Sequence, residues 1–201
     1  MIWVATATAI VAKEIATANN KQKGYGFAVP LFAFCEDFMI TAFVSALVAF
    51  LADRASKILI LKYVFGLTAP VADKFGESVP LWKDVFHLTF VGNKGAAFGI
   101  FSGNKVFLVA LCVLILVAMV GFMLKYKPKN ALAKISLGMI MGGAVGNVVD
   151  RLLYGYVIDF LDFCLIDYPV FNVADCFIVV GAVLFCVYVI FLEKKEDKCG
   201  K

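Results

Sequence analysis

Charge is what this sequence has least of. Asp, Glu, Lys and Arg make up 17% of its 201 residues, below the quarter usual for a soluble domain. The apolar share is 63% and the mean hydropathy is +0.92. The length alone would suit one or two soluble domains, but the long uncharged runs indicate an integral membrane protein. The net charge of +4 comes without a basic block, so nucleic-acid binding has no support. Histidine is scarcer still. His87 is the single one, which excludes an HExxH zinc site, and no GxSxG elbow is present to carry a serine nucleophile. Set in the alternating stretch "DVFHLTFV", His87 reads as a loop or sheet residue. The cysteines, Cys35, Cys112, Cys164, Cys176, Cys186 and Cys199, form no CxxC pair. Neither a disulfide framework nor a zinc cluster is expected, and buried free thiols are the default.

Against that apolar background the spans stand out. Val106 to Leu124 is uncharged and bracketed by Lys105 and Lys125. At about 1.5 Å per residue, roughly 20 residues cross a hydrocarbon core of about 30 Å. A second run covers 131–149 and a third 173–192, interrupted only by Asp175. The shortest, 38–56, ends in "DRASK" and can extend into "ILILKYVF" if tilted. The fold class expected is a mainly α membrane protein of four transmembrane helices with a small extracytoplasmic β-rich domain, at about 63–103. Lys125, Lys127, Lys129 and Lys134 crowd one connection, and Lys194, Lys195 and Lys198 follow the last span. Both clusters fall on one side, which the positive-inside rule makes cytoplasmic, together with both termini. The loop between Arg54 and Lys105 is also basic, but long and partly balanced by Asp73, Glu77 and Asp84. Residues 1–37 make an N-terminal extension with no role that can be assigned. The run "MIWVATATAIVA" is too short to span and lacks a basic leader, and Gly24, Gly26 and Pro30 suggest loops.

This layout carries Asp53, Asp150, Asp159 and Asp175 toward the outer face. An ionisable group at membrane depth costs a few kcal/mol and marks either a site or a paired structural charge. For Asp150 the plainer reading is a pair with the adjacent Arg151, closing the helix at the interface. Asp162 and Asp167 read as solvated loop acids. Asn172 fits the N-cap of the last span with Asp175 at N3, where an acid favours the helix dipole; catalysis by Asp175 is the equal alternative. Asp159, in "YGYVIDFLDF", has no base near it in sequence. An unpaired acid in apolar surroundings has a raised pKa, and two such acids together can divide the work of base and acid toward a water. The competing class is a small transporter or ion-binding protein using the same acids as a relay.

Five phrases then point one way: "DRASK" at 53–57, "NKGAAF" at 93–98, "GGAVGNVVDR" at 142–151, "VIDF" at 157–160 and "FNVAD" at 171–175. In this order the chain, from about residue 38 onward, resembles bacterial lipoprotein signal peptidase, or signal peptidase II, an intramembrane aspartic protease family. The resemblance implies that Asp159 and Asp175 are the catalytic pair. It implies that Asn93, Asn147, Arg151 and Asn172 surround the substrate peptide, as donors suited to main-chain carbonyls. Asp53 and Lys57 match the acid and lysine closing the first helix, and Asp150 a positioning or stabilising acid. Gly142, Gly143 and Gly146 would let helices approach closely. Two departures stand out: "DRASK" replaces the usual Asp-Gln-x-Thr-Lys, and a glycine in "AAFGIF" stands where serine is common.

The activity implied is removal of signal peptides from diacylglyceryl-modified prolipoproteins, by cleavage just before the lipidated cysteine. No metal or organic cofactor is expected. The partners implied are prolipoprotein substrates, membrane lipids and the inhibitor globomycin, for a monomer in the bacterial cytoplasmic membrane with its active site toward the outer face. Cys164 and Cys176 lie near the proposed site without a catalytic role.

Overall fold

In the computed structural model the described residues are 29–95, 104–166 and 168–192, with side chains from residue 40 onward. The expectations placed on residues 1–28, on the glycine-rich return at 96–103, on Asp167 and on the lysine tail beyond 192 lie outside the described residues. The chain divides into two units, Met1–Asp37 and Phe38–Lys201, and the sheet and the site belong to the second.

Helix α1 runs Val29–Leu59 and continues as a π-helical turn over Ile60–Val64, so the stretch "ILILKYVF" extends the helix. Pro30, expected in a loop, sits instead in the first helical turn, where its missing N–H costs nothing. Helix α2 spans Lys105–Tyr126. Its N-cap, Asn104, accepts from the Phe107 N–H, and Lys127 closes it in the left-handed region at φ 44°. Helix α3 spans Ala131–Tyr154, capped by Asn130 and ended by Gly155 at φ 86°. It runs past 149, where the pair Asp150–Arg151 was expected to end it. Both residues are buried and hydrogen-bonded to groups inside the protein, so the helix stops only where glycine offers a left-handed turn. Helix α4, Val173–Val187, passes into a π-helical turn, Tyr188–Leu192.

Among the described residues three helices are long and apolar enough to cross a membrane: Lys105–Tyr126, Ala131–Tyr154 and Val173–Leu192. Only 11% of the apolar window is buried in the first and the last, against 50% in α3. So α3 is the central helix, and the others turn apolar faces outward. Exposed Leu114, Val117, Val179 and Val183 would be an aggregation hazard in water and are at home in lipid. Close approach to α3 is set by glycine. A Cβ on Gly142 would stand 2.2 Å from the Ala46 carbonyl oxygen of α1, and one on Gly143 would stand 2.5 Å from that of Ala174 on α4.

The β-rich part is a three-stranded antiparallel sheet, ordered β1 (Ser78–Trp82), β2 (Phe86–Asn93), β3 (Val157–Asp162). His87 is indeed a sheet residue. The third strand lies outside the 63–103 loop expected to hold the sheet. It comes from "VIDFLD", directly after α3, and pairs Val91 with Asp159 and Asn93 with Val157. One face of β2 and β3 buries Leu88, Phe90, Ile158 and Phe160 with Leu61 and Tyr156, at alternate positions along each strand. Phe75 meets the Phe90 and Tyr156 rings edge-on, at 5.1 Å from each. The chain then doubles back: Phe171 exchanges main-chain hydrogen bonds with Leu161 at 2.8 and 3.0 Å. That bridge fixes the start of α4 beside β3.

Candidate active site

The doubling back at Phe171 decides the site, because Asp159 lies on β3 and Asp175 in the first turn of α4. Both line one cleft of about 240 Å³, together with Asn93, Asn147, Arg151 and Tyr168. Asp175 is held by a capping box. Asn172 accepts the Asp175 N–H at 3.0 Å, and the Asp175 carboxylate accepts the Asn172 N–H at 3.2 Å. The N-cap role expected of Asn172 is therefore present, and it orients the acid rather than competing with a site role.

Asparagine amides connect the two acids. The Asn172 Nδ2 donates to Asp159 Oδ1 at 2.6 Å and to Asn147 Oδ1 at 3.1 Å. Asn147 Nδ2 in turn donates to Asp175 Oδ1 at 2.8 Å. Asn93 closes the other side, donating to Asp159 Oδ2 at 2.9 Å while its own Oδ1 accepts from the Gly95 N–H at 3.0 Å. The amides are neutral, so they orient the carboxylates without cancelling their charge. Asp159 is only 1% exposed. Burial first, and the Asp175 carboxylate second, push it up to about 7, against the pull of Asn93, Asn172 and the more distant Lys57. Such a group carries a proton through much of the neutral range and fits general acid–base work.

Arg151 reaches across the cleft wall. Its Nη2 donates to the Gly95 carbonyl at 2.9 Å, and its buried Nε has no partner among the described residues. Beside the cleft an apolar groove of about 390 Å³ lies between the 163–171 connection and α4, sharing Tyr168, Phe171, Asp175 and Val179 with it.

Asp53, Lys57 and Asp150 do not line the cleft; they lie behind it, in a buried ion cluster. Asp150 is paired not with its neighbour Arg151, as expected, but with Arg54 and Lys57, each at 2.7 Å. The helical turn points the 150 and 151 side chains in different directions, so adjacency in sequence does not pair them. Asp53 pairs with Arg54 at 2.6 Å and with Lys57 at 2.9 Å, leaving two acids and two bases in balance. Each acid also accepts one main-chain N–H beside a site aspartate: Asp150 takes that of Ile158 at 3.1 Å, and Asp53 that of Ala174 at 3.2 Å. A Cβ on Gly146 would stand 2.6 Å from Asp53 Oδ2, so glycine there admits the cluster. Arg54 is the residue that sequence reasoning missed. Its signal was the departure in "DRASK", a cation where the resemblance implies glutamine.

Asp162, expected as a solvated loop acid, ends β3 and accepts a hydrogen bond from Thr89 at 2.6 Å. Cys112, Cys164 and Cys176 are half-buried and Cys186 exposed, all free, so full burial of the thiols does not hold for these four. Cys176 lies in the apolar groove next to Asp175.

Comparison with known proteins identifies a family. Residues 45–191 match the family described as signal peptidase (SPase) II. The lipoprotein signal peptidase of Clostridium acetobutylicum is 40% identical over 153 residues, 75% of this chain and 94% of the relative. That of Halothermothrix orenii is 40% identical over 158 residues, 77% of this chain and 99% of the relative. A solved bacterial membrane enzyme, determined by the in meso method at 2.3 Å, superposes with a TM-score of 0.66 at 29% identity, covering 80% of this chain and 93% of its own. The fold, the cleft and the matched residues lead to one assignment: the chain belongs to the signal peptidase II family.

Proposed function

We propose that this chain is an aspartic endopeptidase of the membrane, which removes signal peptides from diacylglyceryl-modified prolipoproteins by cutting just before the lipidated cysteine. The observation that carries the reading is the joint placement of Asp159 and Asp175 in one cleft, oriented only by neutral amides. One carboxylate takes a proton from water as it attacks the scissile carbonyl; the other gives a proton to the leaving amine. Asn93, Asn147, Asn172 and Arg151 hold the peptide, with the unspent Arg151 Nε–H as a donor to a substrate carbonyl. The apolar groove beside Asp175 suits an acyl chain or an apolar signal segment, and anchoring in lipid turns encounter into positioning.

The same reading places four spans in the bacterial cytoplasmic membrane, the fourth being the part of α1 from about residue 38. Both termini are cytoplasmic and the cleft opens toward the outer leaflet, in a monomer. Residues 1–37 are an extension outside the peptidase domain. The family match does not favour the transporter alternative. The test is processing of a diacylglyceryl prolipoprotein by the purified chain. Cleavage that globomycin blocks is expected; inserted, folded protein that leaves the substrate intact would end the assignment.

A further inference from the structure

Three donor atoms that the sequence keeps apart meet on the sheet. His87 on β2 stands opposite Asp162 at the end of β3, and Cys164 begins the short 3-10 turn Cys164–Ile166 that follows. The ring nitrogen, a carboxylate oxygen and the thiol lie within 4.8 Å of one another. Nitrogen, oxygen and sulfur donors together suit a borderline ion, and three protein ligands leave a fourth position for water.

A relay of hydroxyls settles which ring nitrogen is free. Thr89 Oγ1 donates to Asp162 Oδ2 at 2.6 Å. Having spent its hydrogen, Thr89 Oγ1 accepts that of Ser78, 2.9 Å away. Ser78 Oγ then has only a lone pair to offer His87 Nδ1 at 3.2 Å, so Nδ1 carries the proton. The lone pair is left on Nε2, which is buried and without a partner among the described residues. An unsatisfied buried acceptor is costly, and a hydrogen bond from the other ring nitrogen is how proteins orient a histidine toward a metal.

We propose that His87 Nε2, Asp162 Oδ1 and Cys164 Sγ form a site for a divalent metal ion of the zinc class, with Ser78 and Thr89 as its orienting shell. Tetrahedral bonds of about 2.0–2.3 Å put donor atoms roughly 3.5 Å apart, so small side-chain rotations from the present spacing close the site. The metal ties β2 and β3 to the turn just before Tyr168 and Phe171, two residues that wall the cleft. Zinc was set aside on the sequence for want of a CxxC pair; pairing of β2 with β3 supplies the ligands instead.

The test is Co2+ titration of the purified full-length chain in detergent. One equivalent is expected to bind with a thiolate-to-cobalt charge-transfer band, and Zn2+ to displace it. Cys164→Ser abolishes the band. His87→Ala and Asp162→Asn each weaken binding well beyond tenfold, and Ser78→Ala weakens it by about tenfold through loss of the tautomer lock. Circular dichroism and elution profile, read alongside, establish that each variant is folded; having two independent ligand variants keeps the test decisive should one fail to fold. The absence of stoichiometric binding, or a band that survives Cys164→Ser and His87→Ala, overturns the proposal. Affinity untouched by Ser78→Ala overturns the relay.

Discussion

Two pairs of aspartates sit back to back in this protein, and they have opposite surroundings. Asp53 and Asp150 face Arg54 and Lys57 at salt-bridge distance. Asp159 and Asp175 face asparagine amides. The residue type is the same, yet one pair has its charge cancelled and the other does not. A carboxylate whose charge is cancelled by cations is a fixed structural element, whereas one held by neutral donors keeps its proton chemistry open. The main-chain bonds from Ile158 and Ala174 join the two regions, so the cancelled pair helps to set the position of the other.

The contrast can be broken from either side. Asp150→Asn leaves Lys57 and Arg54 with one acid for two bases in a buried site. A loss of about 3–5 kcal/mol is expected for breaking such a pair, read as a fall in the thermal midpoint in detergent. A variant as stable as the parent would show that the cluster holds nothing together.

Asp159→Asn should act in the other direction. The folded protein holds Asp159 at about 7 against an ordinary value of 3.8. A raised carboxylate contributes stability that is full below the unfolded value and is lost as pH rises through the folded one. Above about pH 7 the charged form is therefore a cost, of up to about 4 kcal/mol at 1.36 kcal/mol per unit. The amide gives back about 1 kcal/mol because it faces a donor. Asp159→Asn is thus expected to be more stable than the parent at pH 8 by about 2–3 kcal/mol and no more stable at pH 4. Denaturation at the two pH values checks it; a variant less stable at both contradicts it.

Arg54→Ala probes the partly exposed member of the cluster. The side chain is 18% exposed, so water screens some of the loss and about 1–2 kcal/mol is expected, with Arg54→Lys restoring part of it. The smallest effect belongs to Asn93→Ala. Removing the donor to Asp159 Oδ2 raises that group further, so the alkaline limb of processing, set near pH 7, is expected to move upward by about half a unit. A downward shift would contradict the direction of the bond.

Much of the architecture was legible in the sequence. Apolar length alone identified α2 and α4, and the phrases "VIDF" and "FNVAD" named the acids that share the cleft. What remained hidden was lateral. Asp150 was read with Arg151 because neighbours in sequence suggest partners, whereas its ion pairs reach back to α1 across Gly146. The strand at Val157–Asp162 was hidden because it is buried on both faces, Val157 to Phe160 alike, and so lacks the polar alternation of a half-solvated strand. Arg54 was visible only as a departure from a motif, and a departure does not say what the new side chain touches.

The central claim is that Asp159 and Asp175 act as one unit. Single-turnover processing of a diacylglyceryl prolipoprotein by Asp159→Asn, by Asp175→Asn and by the double variant tests it directly. If the pair is a unit, each single change costs about as much as both together, at least about a thousandfold in rate. Either single variant within tenfold of the parent, or losses that multiply in the double variant, would contradict it.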